Sequence, residues 1–195
     1  MIKLPKLILA SSSPRRAEIL TAVGWEYEKQ IADIDETELP DEKPEDYVQR
    51  LAKEKAEAVA EKFTDALVLG ADTIVVIENQ IVGKPKDLAD ARRMIKMLSG
   101  NWHEVLTGVA LIKVTEENFE IKVDLQRTRV KFAELSDAEI EFLIERGEPL
   151  DKAGAYAVQA QAALFIEQIE GDYWNVVGLP VSLVYELFKR EKGKS

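Results

Sequence analysis

A serine-rich turn followed by two arginines, near the start of the chain, combines residue types that bind anions. The turn is Ser11-Ser12-Ser13, and Pro14-Arg15-Arg16 follows it directly. Ser13 is a good helix N-cap and Pro14 suits the first helical position, so hydroxyls and free backbone N–H groups gather at a helix N-terminus. Guanidinium groups match phosphate oxygens. The pattern predicts a phosphate site, and a plain helix start with two solvated arginines is the alternative.

A single carboxylate interrupts a long apolar stretch at residues 66–77. This stretch is rich in β-branched residues toward its end, which is typical of a strand buried in the middle of a sheet. Asp72 lies inside it and needs a hydrogen bond, a charged partner or a metal ion. Gly70 and Ala71, just before it, allow another group to approach closely. Asp72 is therefore the strongest catalytic candidate, and the alternative is an aspartate that caps a turn at a bulge.

Two lysines stand at positions where an anion would hold them. Lys55 falls near the middle of the apolar stripe of a helix predicted from residue 44 to about residue 63. A lysine on an inward face is costly unless its ammonium meets an anion or reaches water, and an ion pair with a buried carboxylate would serve equally. Lys84 precedes Pro85 at the edge of a short strand and turn, without the glycine spacing of a Walker A motif.

An acidic, turn-rich segment precedes that helix and carries Asp35, Glu36 and Glu38. Clustered carboxylates can hold a metal ion, although a solvated acidic loop is the commoner interpretation. Cations that hold a polyphosphate, together with carboxylates that hold a divalent ion and activate water, are what hydrolysis of a phosphoanhydride requires. The combined pattern therefore indicates this chemistry without identifying the base or the bond that is cleaved.

The composition excludes several other chemistries. The chain has 195 residues, no cysteine and one histidine, His103, so it offers no thiol nucleophile, no zinc–thiolate site and little material for a histidine triad. Direct attack by water is then the simplest mechanism. The net charge of −10 makes it a poor non-specific binder of nucleic acid, so we expect no nucleic-acid partner. No apolar run reaches membrane-spanning length, and we expect a cytoplasmic protein with no membrane contact.

Strand and helix patterns alternate along the chain, which predicts an α/β fold formed by one domain over residues 1–195. We predict strands at residues 7–10, 27–31, 66–77, 105–114, 119–131 and 163–169, and a short strand and turn within residues 80–87. Helices are predicted to begin near residues 14, 44, 88, 137 and 180. Leu88 is predicted on the inward face of the third helix. Residues 171–178 are predicted to form a loop.

Five motifs, in order along nearly the whole chain, closely resemble those of the Maf family of nucleoside triphosphate pyrophosphatases. They are Leu9-Ala-Ser-Ser-Ser-Pro-Arg-Arg16, Gly70-Ala-Asp-Thr-Ile-Val75, Gly83-Lys-Pro85, Asp151-Lys-Ala-Gly-Ala-Tyr156 and Asn175-Val-Val-Gly-Leu-Pro180. The resemblance implies a mixed sheet with flanking helices and two lobes around a cleft, related to the inosine triphosphate pyrophosphatases. It also implies a homodimer.

The reaction that this resemblance implies is hydrolysis of a nucleoside triphosphate between its α and β phosphorus atoms. The products are the monophosphate and pyrophosphate, and a divalent cation, Mg²⁺ or Mn²⁺, takes part. Some members of the family are linked to arrest of cell division. The alternative function is therefore a nucleotide-binding regulator of cell division, in which hydrolysis is incidental.

The resemblance also implies roles for individual residues. Asp72 matches the family's proton acceptor and, with Glu36, an acidic pair that holds the metal ion. The positions that match phosphate-contacting residues are Ser11, Arg15, Arg16, Lys55 and Lys84.

Three further positions resemble the dTTP/UTP branch of the family. A branch that acts on 7-methyl-GTP carries Trp, Gln and Glu where this chain has Arg15, Thr73 and Gln159. The amide of Gln159 could pair with the O4 and N3–H edge of a pyrimidine, including a modified one. The family's usual Gly-Ile-Gln-Gly is replaced here by Ala157-Val-Gln-Ala160, and alanines restrict the backbone and crowd the pocket wall.

Overall fold

The computed structural model describes the backbone of residues 3–192 and the side chains of residues 3–190. Within these ranges the strands are β1 (Leu7–Ala10), β2 (Tyr27–Gln30), β3 (Ala66–Ile77), β4 (Gln80–Val82), β5 (Trp102–Val114), β6 (Phe119–Phe132) and β7 (Ile166–Glu170). The helices are α1 (Pro14–Ala22), α2 (Pro44–Ala60), α3 (Leu88–Leu98), α4 (Asp137–Arg146), α5 (Tyr173–Val177) and α6 (Val181–Lys192). None of the helices in this part of the chain has the length and apolar character that crossing a bilayer requires.

The strands form one mixed sheet, which confirms the predicted α/β class. Their order is β2-β1-β3-β5-β6-β7, with β4 paired to β3 off this path. β1 runs parallel to both β2 and β3, whereas the β3–β4 and β6–β7 pairs are antiparallel. The parallel pairs are joined through helices, as parallel connections require.

The chain divides into two compact units. The first contains the described residues up to Asp72, Thr107–Gln126 and those from Gly178 onward, and the second contains Thr73–Leu106 and Arg127–Val177. This division agrees with the two lobes that the sequence predicts. The assignment of the whole chain to a single domain stays a prediction.

In the first unit, α2 packs unusually close to the sheet because small residues face each other. A Cβ atom on Gly70 of β3 would lie 2.2 Å from the carbonyl oxygen of Ala52 and 2.9 Å from the Cβ of Ala56. Only glycine fits there without displacing the helix. The buried core of this region is Ile8, Ala10, Ala52, Ala56, Val59, Ala60, Val68, Ala110, Ile112 and Val114. The close contact brings the inward face of α2 directly against β3.

In the second unit, a buried aromatic cluster contains the chain's single histidine. The ring of His103 on β5 lies 5.6 Å from that of Phe132 and 5.4 Å from that of Tyr156. His103 Nε2 is 2.7 Å from the Tyr156 hydroxyl, and its Nδ1 has no hydrogen-bond partner among the described residues. Burial lowers the pKa of His103 to about 3. The imidazole is therefore neutral in the folded protein.

Two predictions about secondary structure and one about burial are wrong. Residues 161–164 form a 3-10 turn, so the last strand begins at Ile166 rather than at residue 163. Residues 173–177 form a short helix instead of a loop, because the carboxylate of Asp172 accepts hydrogen bonds from the N–H groups of Trp174 and Asn175 and caps it. Leu88 is about half exposed, since it occupies the first position of α3 before the inward stripe begins.

The buried imidazole predicts that stability falls as the pH is lowered. The unfolded chain binds a proton near pH 6.5 while the folded chain does not, so the free energy of unfolding rises with pH between the two pKa values. We expect it to be about 1.4 kcal/mol lower at about pH 5.5 than at about pH 7.5. Urea denaturation at both pH values would measure the difference.

The His103→Phe variant is the control, because the chain has no second histidine. Its stability should change far less between these two pH values, whatever its absolute stability. An equal pH dependence in both proteins would contradict the assignment of the effect to His103.

Candidate active site

The serine-rich turn joins β1 to α1 as predicted, but Ser11 rather than Ser13 organises it. Ser13 occupies the N-cap position of α1, and its side chain makes no capping hydrogen bond. The buried hydroxyl of Ser11 instead accepts hydrogen bonds from the backbone N–H of Ser13 and from Nη1 of Arg16, each at 3.1 Å. The turn is therefore fixed from its buried end, which orients the first turn of the helix.

Arg16 is a buried cation held in a fixed orientation. Its Nε donates a hydrogen bond to the carbonyl oxygen of Gly178 at 2.9 Å, while Nη1 binds Ser11. Burial lowers the pKa of Arg16, whereas the negative charges of Asp72 and Glu36 raise it. Arg15, half-buried beside it, lowers it further by charge repulsion. An anion bound at this helix start would offset both the cost of burying the Arg16 charge and its repulsion by Arg15.

Lys55 joins two carboxylates that come from different elements. Its Nζ donates a hydrogen bond to Oδ1 of Asp72 at 2.6 Å and lies 2.8 Å from Oε1 of Glu36. The side chains of Lys55 and Asp72 are 11% and 12% exposed, whereas that of Glu36 is 52% exposed. The ion pair with a buried carboxylate, one of the two explanations for an inward-facing lysine, is thus present.

The topology explains why these residues meet. Ala10 at the end of β1 lies beside Gly70 of β3 in a parallel register, so the turn after β1 and Asp72 on β3 lie at the same end of the two strands. Ligand sites of open α/β sheets form at such carboxyl ends. Charges of Arg16, Asp72 and Glu36 therefore act on one another within the first unit.

Glu36 and Asp72 are a pair rather than a complete metal cage. Among residues 3–190, no group of three or more His, Asp or Glu side chains is placed to hold a metal ion. Mg²⁺ in nucleotide enzymes is commonly bound by one or two carboxylates, with water and substrate phosphates supplying the remaining oxygens. Two carboxylates drawn to one ammonium fit a site of this kind.

Two residues of α2, which the sequence patterns did not single out, hold the acidic loop. The Tyr47 hydroxyl donates a hydrogen bond to the backbone oxygen of Glu36 at 2.8 Å. Arg50 binds both carboxylate oxygens of Glu42, at 2.6 and 2.7 Å, and its Nη2 also donates to the backbone oxygen of Thr37 at 3.1 Å. Their spacing of three residues on α2 places them on one face, but no local pattern in the sequence shows that this face meets the loop.

The acidic residues also shift the pKa of Tyr47. Burial and then the negative charges of Asp72 and Glu36 raise its pKa to about 12. The phenol therefore keeps its proton at neutral pH and remains a hydrogen-bond donor to the loop. Tyr47 and Arg50 together restrict the conformations of the loop and favour the one in which Glu36 meets Lys55.

The remaining predicted site residues lie in the second unit. Thr73 is half-buried on β3 immediately after Asp72, and Lys84 is exposed in the turn after β4. Gln159 is exposed in a turn that is closed by a hydrogen bond from Ala160 N to Ala157 O at 3.1 Å. The structure thus brings together Ser11, Arg16, Lys55, Asp72 and Glu36 in the first unit, and Thr73, Lys84 and Gln159 belong to the second.

In the first unit, cationic groups at the turn after β1 and a buried carboxylate on the neighbouring strand β3 form an arrangement that is typical of phosphate-binding α/β proteins. The profile of the family described as "Maf-like protein" matches residues 6–191. The chain therefore belongs to the Maf family, which confirms the resemblance seen in its motifs.

Relatives named dTTP/UTP pyrophosphatase are similar over almost the whole chain. The protein of this name from Geotalea uraniireducens is 52% identical over 184 residues, which are 94% of this chain and 94% of that protein. The one from Bacillus cytotoxicus is 47% identical over 191 residues, with 97% and 98% covered. Among solved structures, the Ham1 protein of Staphylococcus aureus matches 66% of this chain and 72% of that one, with 15% identity and a TM-score of 0.47.

Replacing Arg50 by methionine should release the acidic loop. The half-buried guanidinium makes bidentate, charge-assisted hydrogen bonds to Glu42, whose side chain is 8% exposed. We expect a glutamate-specific protease to cut the loop after Glu36, Glu38 or Glu42 roughly tenfold faster in Arg50→Met than in the unaltered protein. Time courses of cleavage, with mass spectrometry to locate the cut, would measure it.

Lys53→Met is the matched control for this experiment. Lys53 is on the same helix, is about half exposed and pairs only loosely with Glu57, at 3.7 Å. Its loss should leave cleavage of the loop unchanged. Equal cleavage rates in both variants would show that Arg50 does not hold the loop.

Proposed function

We propose that this protein hydrolyses dTTP and UTP, and modified pyrimidine nucleoside triphosphates, to the monophosphate and pyrophosphate. The observation that carries the proposal is the buried Lys55–Asp72 pair, joined by Glu36, in the same unit as the Ser11–Arg16 turn. Relatives that are about half identical over more than nine-tenths of the chain are named for this activity. The cytoplasmic location and the homodimer stay predictions.

In this proposal the cations of the site bind the triphosphate. Arg16 is already fixed by Ser11 and Gly178, so little freedom is lost when it binds a phosphate oxygen. Arg15 stands beside it at the start of α1, where the helix dipole adds partial positive charge. Lys55 and Lys84 supply further positive charge to the phosphates. These groups would stabilise the charge that develops on the leaving pyrophosphate.

Asp72 is the proton acceptor in the proposed reaction. Lys55 holds only its Oδ1, so Oδ2 can bind a water molecule. The water oxygen forms a bond to the α phosphorus, and a proton of the water passes to Asp72. The bond between the α phosphorus and the bridging oxygen breaks, and this oxygen leaves with the pyrophosphate. The monophosphate and pyrophosphate then leave. A carboxylate on a central strand is well suited to this task because its position varies little.

Glu36 and Asp72 are the residues that would hold a divalent cation, Mg²⁺ or Mn²⁺. Such an ion would neutralise phosphate charge and lower the pKa of a bound water. The Lys55 ammonium keeps the two carboxylates close together when no ion is bound, since it neutralises part of their mutual repulsion. Thr73 and Gln159 complete the proposal as contacts of the nucleoside, with the Gln159 amide pairing to the pyrimidine edge.

An end-point assay on a panel of nucleotides would test the reaction and the substrate class together. The panel contains dTTP, UTP, CTP, GTP, 7-methyl-GTP, ITP and 5-methyl-UTP, each with Mg²⁺ and with Mn²⁺, and anion exchange separates the products. We expect monophosphate and pyrophosphate from dTTP and UTP and little product from 7-methyl-GTP. Diphosphate and orthophosphate would overturn the proposed bond cleavage, and binding without turnover would favour the regulator.

Asp72→Asn should nearly abolish turnover and leave the fold intact. An amide oxygen can still accept the hydrogen bond from Lys55, but the amide cannot take a proton from water. We expect kcat to fall by roughly 10²-fold to 10⁴-fold. The melting temperature should fall as well, because Lys55 loses one of its two carboxylate partners, but the protein should still fold. Asp124→Asn makes the same change of charge on a partly exposed strand position that pairs with Arg190. It should keep full activity, and full activity in Asp72→Asn would remove Asp72 as the base.

A further inference from the structure

The segment that carries Gln159 has little regular structure of its own. Residues 149–164 form short 3-10 turns, with no long helix or strand among them. Gly154 and Ala155 have φ angles of 69° and 63°, and the second of these is strained for a residue with a Cβ atom. A segment of this kind depends on contacts with its surroundings to keep one conformation.

Two hydrogen bonds connect this segment to other elements of the second unit, one on each side of the strained residue Ala155. The backbone N–H of Gly154 donates to the carbonyl oxygen of Gly83 at 3.0 Å. This contact joins the segment to the turn that carries Lys84. The Tyr156 hydroxyl makes a hydrogen bond of 2.7 Å with His103 Nε2, and this contact joins the segment to β5.

The His103–Tyr156 hydrogen bond lies close to Gln159 in the sequence. Tyr156 precedes Gln159 by three residues, and the Ala157–Ala160 hydrogen bond closes the turn between them. Both partners are buried, at 2% and 7% exposure, and Phe132 packs edge-on against Tyr156 with ring centres 5.0 Å apart. The His103–Tyr156 pair thus connects the long strand β5 to the segment that carries the exposed turn.

We propose that His103 and Tyr156 are positioning residues for base selectivity, which they control by fixing the turn that presents Gln159. This inference rests on the proposed function, in which Gln159 reads the pyrimidine edge. A glutamine amide can pair with thymine or, after rotation by half a turn, with cytosine, because it carries both a donor and an acceptor. Selectivity therefore requires that the turn, and with it the amide, is held in one place.

Equilibrium binding of dTTP and dCTP in EDTA tests this inference without turnover. Isothermal titration calorimetry gives the ratio of the two dissociation constants for the unaltered protein and for Gln159→Ala, Tyr156→Phe, His103→Leu and His103→Gln. We expect the first three substitutions to reduce the preference for dTTP by roughly threefold to tenfold. His103→Gln keeps a polar group opposite the Tyr156 hydroxyl and should retain most of the preference.

Ser136→Ala is the control for a general loss of stability in the same unit. Ser136 caps α4 and contacts neither His103 nor Tyr156 in the described structure, so its loss should lower the melting temperature and leave the binding ratio unchanged. An unchanged ratio in Tyr156→Phe would overturn the inference. So would an unchanged ratio in Gln159→Ala, or equal affinity of the unaltered protein for the two nucleotides.

The outcomes also separate this inference from the proposed function. If the unaltered protein hydrolyses no nucleotide but binds dTTP selectively, and Tyr156→Phe lowers that selectivity, the proposed hydrolysis is wrong and the positioning role stands. If it hydrolyses dTTP and UTP while Tyr156→Phe keeps the full binding ratio, the proposed hydrolysis stands and the positioning role is wrong.

Discussion

The ion pair between Lys55 and Asp72 is the constraint on which the candidate active site depends. A buried ammonium and a buried carboxylate are each costly alone, and removing one partner of such a pair typically costs about 3–5 kcal/mol. The pair forms only because α2 approaches β3 so closely that Gly70 has no room for a side chain beside Ala52. The close packing of small residues therefore allows the ion pair of the site to form. A larger residue at the contact would move Lys55 away from the strand that carries Asp72.

Glu36 differs from Asp72 in how the fold controls it. Asp72 is fixed by the hydrogen bonds of a central strand, whereas Glu36 lies in a loop and is half exposed. Its position depends on Tyr47 and Arg50, which bind the backbone of the loop and the Glu42 carboxylate. One carboxylate is thus permanently positioned, and the other can move if the contacts of α2 are released. This combination suits a site whose last ligands come from the substrate, since the loop can adjust when phosphate oxygens arrive.

Local sequence signals predicted most of the fold because they act over a few residues. The apolar run of β3 forms a strand over residues 66–77 as predicted, and α3 and α4 begin where predicted, at residues 88 and 137. The side chains of Asp87 and Ser136 cap these two helices. The cost of burying a charge allowed an ion pair with a buried carboxylate as one explanation for Lys55, but it did not identify Asp72 as the partner. The errors arose where tertiary contacts decide the outcome. Ser13 occupies the predicted N-cap position, but its side chain makes no capping hydrogen bond. The turn is held instead by the Ser11–Arg16 hydrogen bond, and Arg16 is oriented by Gly178, which is 162 residues away in the sequence. Tyr47 and Arg50 hold the acidic loop because the fold places that loop against α2, and no local sequence pattern predicts this contact.

The two kinds of task proposed for this protein fall on different kinds of structure. Arg16, Lys55 and Asp72 stand on helices and a strand, whereas Gln159 stands on an irregular segment that hydrogen bonds hold at separate points. The alanines that replace the family's usual glycines fit this segment. Ala160 has a φ of −120°, a region open to any L-residue, so a glycine is not required there. The strain falls instead on Ala155, with a φ of 63°, directly before Tyr156. A strained residue persists only where its surroundings determine its conformation, and the buried contact of Tyr156 with His103 is placed to do so.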